Sequence, residues 1–344
     1  MTYAAHATAT FEGAFPDDVI PHIAAHAREA ELRVKETETS LLVTAPLAKV
    51  AVERAYSTLQ VRIDAVEAGA LQSVRDYFLH IFDHVAPGLS ANGDWQGDIA
   101  RNRTPLNFCT VSVRGVWRVA PSFLRIEMDC ADTKRLAEGR GMHFSLLLPP
   151  EGRVPLWPRL DANGRTVMPD GPDRLHRAVY TFVNLDPARS RFNFDLFEHD
   201  GGRVTAWARK AQRGDIVGIS GPGGGDFPPG QTVLLAGDET ALPAVRRILT
   251  QSGPGRRGRV LMEVGADDDI CDLPRPGGMD LTWIIRNRGE TLWNHLATAD
   301  PPEGPDRYVW IAAEKALVRK AKARFRDSLG IGPKEGYFAY YWEA

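Results

Sequence analysis

From residue 231 onward the hydrophobic pattern changes period. QTVLLAGD (231–238) is a short run without a polar face, ETALPAVRRILTQS (239–252) spaces its apolar residues as a helix does, and GRVLMEVG (258–265) is again an apolar run. A strand with no polar face must be covered on both sides. Such strands alternating with helices predict a doubly wound parallel sheet. DLTWIIR (280–286), a helix around LWNHLA (292–297), YVWIAAE (308–314), the charged helix KALVRKAKARFRDSLG (315–330) and YFAYYW (337–342) continue the alternation, so residues 231–344 read as one α/β domain.

Upstream the pattern is different. Between 104 and 230, FCTVSVRGVWRVAPSFLRIEMDC, MHFSLLLPP, HRAVYTFVNLD, RFNFDLFEHD and DIVGISGPGG are short alternating runs separated by turn residues. They predict an antiparallel β-barrel or sandwich. Residues 149–176, rich in Pro, Gly and Asp, form a long loop of the functional or mobile kind. Residues 1–95 predict a small α+β domain. Its parts are a strand at ATATFEG, a turn at Pro16, a helix over 17–30 with Asp17 and Asp18 at its start, strands at SLLVTAPLA and STLQVRIDA, and a helix from about Ala68 to His84. A short helical segment is expected around Lys49–Arg54. The second long helix carries the stripe Leu71, Val74, Phe78, Ile81 and Phe82, and the Gly-, Asn-, Asp- and Pro-rich stretch 87–98 reads as a linker. The fold class is therefore multidomain α+β and α/β.

Charge and composition narrow the function. Lys and Arg total 42 against 44 Asp and Glu, and a net charge of −2 lacks the electrostatic footprint of a general nucleic-acid binder. No apolar run approaches the roughly 18 residues of a membrane span. The first twenty residues lack a basic segment followed by an apolar core. Cys109, Cys130 and Cys271 are few, odd in number and far apart, which fits a reducing cytoplasm and excludes a cysteine zinc site or a CxxC pair. The expectation is a cytoplasmic enzyme, a monomer or weak dimer, with no nucleic-acid partner and no membrane span.

A β-barrel followed by an α/β domain that opens strand–Gly237-Asp238-Glu239-Thr240–helix suggests two flat rings brought together for hydride exchange, a flavin in the barrel and a pyridine nucleotide at the strand ends. The glycine permits close approach, the polar residues cap, and the free N–H groups of the helix start suit an anion. GPGGG (221–225) is no dinucleotide fingerprint, because it leads into Pro228 and Pro229 rather than a helix.

VLLAGDETALPAVRRIL (233–249) closely resembles the signature of siderophore-interacting proteins, flavin-dependent ferric-siderophore reductases of the ferredoxin–NADP reductase superfamily. VYTFVNLD (179–186), FDLFEHDGGRVTAWARKAQRGDIVGISGPGG (194–224) and the terminal YYW (340–342) agree in order and spacing, so the resemblance covers roughly 104–344. Residues 1–86 resemble an uncharacterised small α+β domain that accompanies some members. The resemblance implies FAD as cofactor, NADPH or NADH as donor, and transfer of single electrons to Fe(III) in a chelate, which frees iron because hard oxygen donors hold Fe(II) far less tightly. It implies that Tyr180 and Thr181 pack against the isoalloxazine ring and hydrogen-bond near N5; on residue type alone a Tyr-Thr pair reflects β-propensity. It further places Asp195, His199, Gly202, Val204 and Thr205 at the cofactor, with Trp207 completing the spacing. Tyr341, Trp342 and Glu343 fall by the flavin, where an aromatic side chain can shield the ring. A non-catalytic flavin or siderophore carrier or sensor, and a general flavin reductase, are the alternative functions.

The chain departs from the family where cations are expected. The family's Arg before the Tyr-Thr pair is replaced by Ala178, with Arg177 one residue early, so Arg177 reaches a flavin phosphate only through a bulge. Ser145, Val183 and Glu343 stand where the resemblance implies basic residues. Each contact pair is worth about 1 kcal/mol in water and more when partly buried, so three losses weaken a trianionic chelate by on the order of a hundredfold. The expectation is a less anionic acceptor.

Two further features are open to a second reading. His22/His26 and His80/His84 are i, i+4 pairs on expected helices, a spacing that allows a metal or haem site but also describes ordinary helix-surface histidines. Arg286 and Arg288 offer a grip for the 2′-phosphate of NADPH, and Glu263 offers an acceptor for a free ribose 2′-hydroxyl. The sequence leaves that choice open.

Overall fold

The computed structural model describes residues 2–30 and 32–344. They divide into two compact units, residues 1–108 with 152–174, and residues 109–151 with 175–344.

In the first unit, period-two alternation builds a sheet with one buried face. In β1 (Ala5–Glu12), Ala5, Ala7, Ala9 and Phe11 are buried while His6, Thr8, Thr10 and Glu12 are exposed. With β2 (Arg33–Glu36), β3 (Ser40–Thr44), β4 (Ala48–Ala55), β5 (Thr58–Ala65) and β6 (Asp94–Gly97) it forms an antiparallel sheet of order β2-β3-β4-β5-β1-β6. Helices α1 (Val19–Glu29) and α2 (Ala68–Val85) lay their apolar stripes on its buried face. Phe11 is fully enclosed, its ring 4.9 Å from Phe82 and 6.0 Å from Trp95.

Three local expectations change here. Residues around Lys49–Arg54 are a strand, because Ala48, Val50 and Val52 alternate with outward-facing side chains and the valines favour extended backbone. Residues 87–98 are not a linker. Their turn-rich composition conceals the four-residue edge strand β6, anchored by buried Trp95 and paired with β1. Within the long loop, residues 152–174 belong to this unit. Buried Arg75 of α2 donates to the carbonyls of Asn163 (3.3 Å) and Gly164, and the Thr166 hydroxyl donates to Asp76 (2.5 Å).

The second unit begins with β7 (Phe108–Ala120), β8 (Phe123–Asp129), helix α3 (Thr133–Glu138) and β9 (His143–Leu148). After the hairpin β10 (Arg159–Leu160) and β11 (Thr166–Val167) in the first unit, it resumes with β12 (His176–Thr181), β13 (Asn184–Asp186), β14 (Arg191–Phe197), helix α4 (Arg203–Ala208) and β15 (Ile216–Gly223). Strand order is β12-β9-β15-β7-β8-β14-β13. Only Phe182 and Val183 separate β12 from β13, which lie at opposite ends of that order, so the sheet curls into a barrel; the Val183 N–H donates to the Asn193 carbonyl (2.9 Å). Phe144, Phe182, Phe192 and Phe194 fill it.

The parallel sheet follows: β16 (Thr232–Gly237), α5 (Leu242–Thr250), β17 (Arg257–Val264), β18 (Gly278–Ile285), α6 (Leu292–Leu296), β19 (Arg307–Glu314), α7 (Lys315–Lys322) and β20 (Gly336–Trp342). Its order is β18-β17-β16-β19-β20, with every pairing parallel. Val233 and Leu235 pack against α5, whereas Leu234 and Ala236 pack in the core of α6 and α7, so both faces of β16 are covered as its sequence requires. The chain leaves β16 in one direction for β17 and returns on its other side as β19, which opens a crevice at their carboxyl ends. The barrel is fastened to this sheet by buried Arg247, which donates to the Met142 carbonyl (3.1 Å), and by Ser122, whose N–H and hydroxyl both reach Asp269 (3.0 Å each).

Because Phe11 touches both the helix layer and Trp95, Phe11→Ala is expected to cost about 3–5 kcal/mol, read from the urea midpoint of the first unit at unchanged slope.

Candidate active site

A cleft of about 1020 Å³ lies at the carboxyl ends of β16 and β17. It is bounded by barrel strands β12 and β14 on one side and by β20 on the other. Each wall is built by a different kind of local constraint.

The barrel wall presents Tyr180 and Thr181 at the end of β12. Alternation along this strand turns Ala178 and Tyr180 toward the barrel cluster, the Tyr180 ring lying 5.0 Å from Phe194, and leaves Val179 exposed at the cleft. Burial raises the Tyr180 phenol well above its ordinary value, so it remains a neutral hydroxyl. Thr181 is buried and lies opposite His143 in the ladder. Asp195 also reaches the cleft, but its carboxylate is held by Arg125, its ladder partner on β8, through two bonds of 2.6 and 2.8 Å. That pairing raises the Arg125 guanidinium.

His199 lines the cleft beside the turn into α4. A Cβ on Gly202 would lie 2.8 Å from the His199 ring, so the glycine makes room for the imidazole. Val204 and Thr205 are buried next to it, the His199 N–H pointing to the Thr205 hydroxyl (3.4 Å); with Gly202 they support His199 from outside the wall. Arg177 is exposed on β12 and donates to the Ser145 hydroxyl (2.9 Å), again outside the wall. Val183 is likewise outside it.

The sheet wall is the turn after β16. A Cβ on Gly237 would meet Ala241 at 2.5 Å and the Ala312 carbonyl at 2.8 Å, so only glycine lets the turn close. Asp238, 4% exposed, caps that turn by accepting from the Thr240 N–H (3.0 Å) and hydroxyl (2.5 Å); its other oxygen accepts from the Glu314 N–H (3.1 Å) and the Trp342 indole (2.8 Å). Buried Glu239 receives both terminal nitrogens of Arg286 (2.8 and 2.7 Å), whose Nε donates to Glu263 (2.8 Å). Glu263 also accepts from the Leu292 N–H. The Glu239 carboxylate, and after it Glu263, raises the Arg286 guanidinium well above its ordinary value. The two candidates for 2′-hydroxyl and 2′-phosphate recognition thus form one cluster, and Arg288 is paired separately with Asp267.

The third wall is β20. Tyr341 shares a 2.8 Å hydrogen bond with His143 Nε2, and Trp342 is tied to Asp238. His143 is 7% exposed, and burial, helped by the Arg247 charge, lowers its imidazole to about 4. Glu343 is bound by Lys315 (2.7 Å to each oxygen). His143 and Arg125 carry no local motif that assigns them a part in the site. Ladder register alone brings them to Thr181 and Asp195.

A flavin dinucleotide fits this enclosure. The volume suffices, aromatic side chains are supplied by Tyr180, Tyr341 and Trp342, and buried Thr181 lies among the lining residues. The histidine pairs belong to the first unit. Their rings are 5.1 Å (His22, His26) and 4.6 Å (His80, His84) apart, and among the described residues no three His, Cys, Asp or Glu side chains gather as metal ligands.

An antiparallel barrel fastened to a doubly wound sheet, with an aromatic cleft between them, is an architecture suited to holding flat cofactors. Residues 112–226 match the model of the siderophore-interacting FAD-binding domain, and residues 230–344 match that of the siderophore-interacting protein. The chain is 29% identical over 250 residues to the NADPH-dependent ferric-chelate reductase of Escherichia coli, spanning 71% of this chain and 96% of that protein. It is 25% identical over 236 residues to the ferric vibriobactin reductase ViuB of Vibrio cholerae, spanning 65% and 85%. The crystal structure of the siderophore-interacting protein SipS from Aeromonas hydrophila superposes with a TM-score of 0.59 at 26% identity, over 70% of this chain and 92% of that one. The chain belongs to the siderophore-interacting protein family, and residues 112–226 are its FAD-binding domain.

His143 makes a pH prediction. Its native imidazole holds a proton less tightly than the unfolded chain does, so the unfolded state binds more protons between pH 4 and 6.5. The associated stability is complete above pH 6.5 and is lost as pH falls through that window, by about 3 kcal/mol in all. Urea midpoints across pH 4–7 are expected to fall less steeply in His143→Gln than in the natural sequence.

Proposed function

We propose that the chain reduces the iron of ferric siderophores or other ferric chelates, with electrons from NADPH or NADH, and that the barrel holds FAD while the parallel sheet presents the nicotinamide nucleotide. The supporting observation is the convergence in one cleft of the Tyr180–Thr181 strand end and the Gly237–Thr240 turn, from two architectures joined only by tertiary structure. The reductases named among the relatives support the same acceptor class.

Bound FAD supplies the conversion of a two-electron hydride into the single electrons that Fe(III) accepts. In this reading Tyr180 is a flat apolar wall with a neutral hydroxyl, and Thr181 offers a short hydroxyl beside the ring. Their placement on one strand fixes the two side chains relative to each other, so that both would orient the same ring. Gly237 lets the turn approach a nucleotide closely, Asp238 holds that turn closed by taking the Thr240 N–H and hydroxyl, and His199, supported by the 202–205 turn, serves the dinucleotide's phosphates. Tyr341 and Trp342 exclude water from the ring. No side chain has to abstract or deliver a proton for the hydride step, which accords with a cleft whose carboxylates are all engaged by partners. The three free thiols support a reducing, cytoplasmic setting.

Anaerobic stopped-flow absorbance of the FAD-loaded protein is expected to show bleaching of the flavin band by NADPH or NADH, followed by reoxidation on adding a ferric chelate. A yellow protein that neither nucleotide bleaches would point instead to a carrier or sensor. Tyr180→Ala is expected to weaken FAD binding at least tenfold by equilibrium dialysis, whereas Tyr180→Phe, which retains the ring, holds FAD nearly as the natural sequence does.

A further inference from the structure

We infer that the cleft selects neutral or positively charged ferric chelates and discriminates against anionic ones. This deepens the reductase reading and rests on it. Six carboxylates line the cleft, those of Asp195, Asp238, Glu239, Glu263, Glu314 and Glu343. The cations that answer them are Arg125 on Asp195, Arg286 between Glu239 and Glu263, and Lys315 on Glu343. Asp238 and Glu314 have only N–H and O–H dipoles as partners. The lining carboxylates thus outnumber the cations bonded to them by three.

A cleft lined by one sign of charge focuses its field outward through its mouth. Arg286, the one Lys or Arg among the described residues lining the cleft, has each of its three guanidinium nitrogens bonded to a carboxylate, so its charge is already answered by Glu239 and Glu263. Arg177 stands outside the wall, turned to Ser145.

The mouth gives an independent indication. Tyr340 is 62% exposed, Val179 58% and Trp342 44%, a concentration of apolar and aromatic surface at the opening. The Lys315 ammonium lies 5.6 Å from the centre of the Tyr340 ring, so this face already accommodates a cation. Aromatic faces attract cations and apolar groups and offer nothing to a carboxylate or catecholate oxygen. Field and surface therefore select in the same direction.

The test separates binding from electron transfer. The FAD-loaded full chain is titrated with redox-inert gallium(III) complexes, the monocationic desferrioxamine B complex and the trianionic tris(catecholate), and Kd is read by calorimetry. The cation is expected to bind at least about tenfold more tightly at low ionic strength, with the ratio shrinking in 0.5 M salt as the field is screened. Glu343→Lys is expected to narrow the ratio severalfold, and Glu343→Gln to narrow it less. Equal or tighter binding of the trianion, or no binding of either complex, overturns the inference. Reoxidation of the NAD(P)H-reduced protein by ferric desferrioxamine B, followed in the same preparation, reports separately on the reductase reading. Charge-selective binding without reoxidation would remove that reading and leave the selectivity standing.

Discussion

The cleft depends above all on the buried carboxylate of Asp238. A carboxylate withdrawn from water needs donors on its oxygens. Here they come from three separate places in the chain: the Thr240 turn that follows it, the first residue before α7, and the indole of Trp342 on the last strand. One side chain therefore fixes the separation of β16 and β19 where the strand order reverses, and draws the aromatic strand across the opening. Gly237 is its necessary companion, because any side chain there would drive the turn off Ala241 and the Ala312 carbonyl.

The Glu239–Arg286–Glu263 cluster does comparable work on the other flank. Its members stand after β16, near the end of β17 and just after β18, so one guanidinium links the ends of three adjacent parallel strands. Buried charge is tolerated because the bonds are short and the remaining Glu263 oxygen accepts the Leu292 N–H. Arg247 and Asp269 then hold the barrel against this rigid edge, so the Tyr180 wall and the Gly237 turn face each other at a fixed spacing.

The parallel sheet is legible in the sequence because QTVLLAGD and YVWIAAE have no polar side to give water. The Tyr180–Thr181 and Gly237–Thr240 segments are legible because each is a short contiguous string. The edge strand β6 is hidden, since only Trp95 of its four residues is buried and the rest resemble turn residues. β4 is ambiguous because KVAVER suits either period until its valines are seen to share one face. Residues 152–174 read as loop because their order comes from Arg75 and Asp76 on α2, about 90 residues earlier. Arg125, His143 and the tie between Arg177 and Ser145 depend on ladder register, which local spacing does not encode.

The hydrogen bond between His143 and Tyr341 joins residues 198 apart in the chain, and that between Asp238 and Trp342 joins residues 104 apart. Loop-closure entropy makes contacts of such separation slow to form and late to stabilise. The barrel and the first parallel strands can therefore take shape while the cofactor enclosure still lacks a wall. A chain that stops short of β20 therefore has neither the phenol that meets His143 nor the indole that meets Asp238, and its cleft stands open on that side.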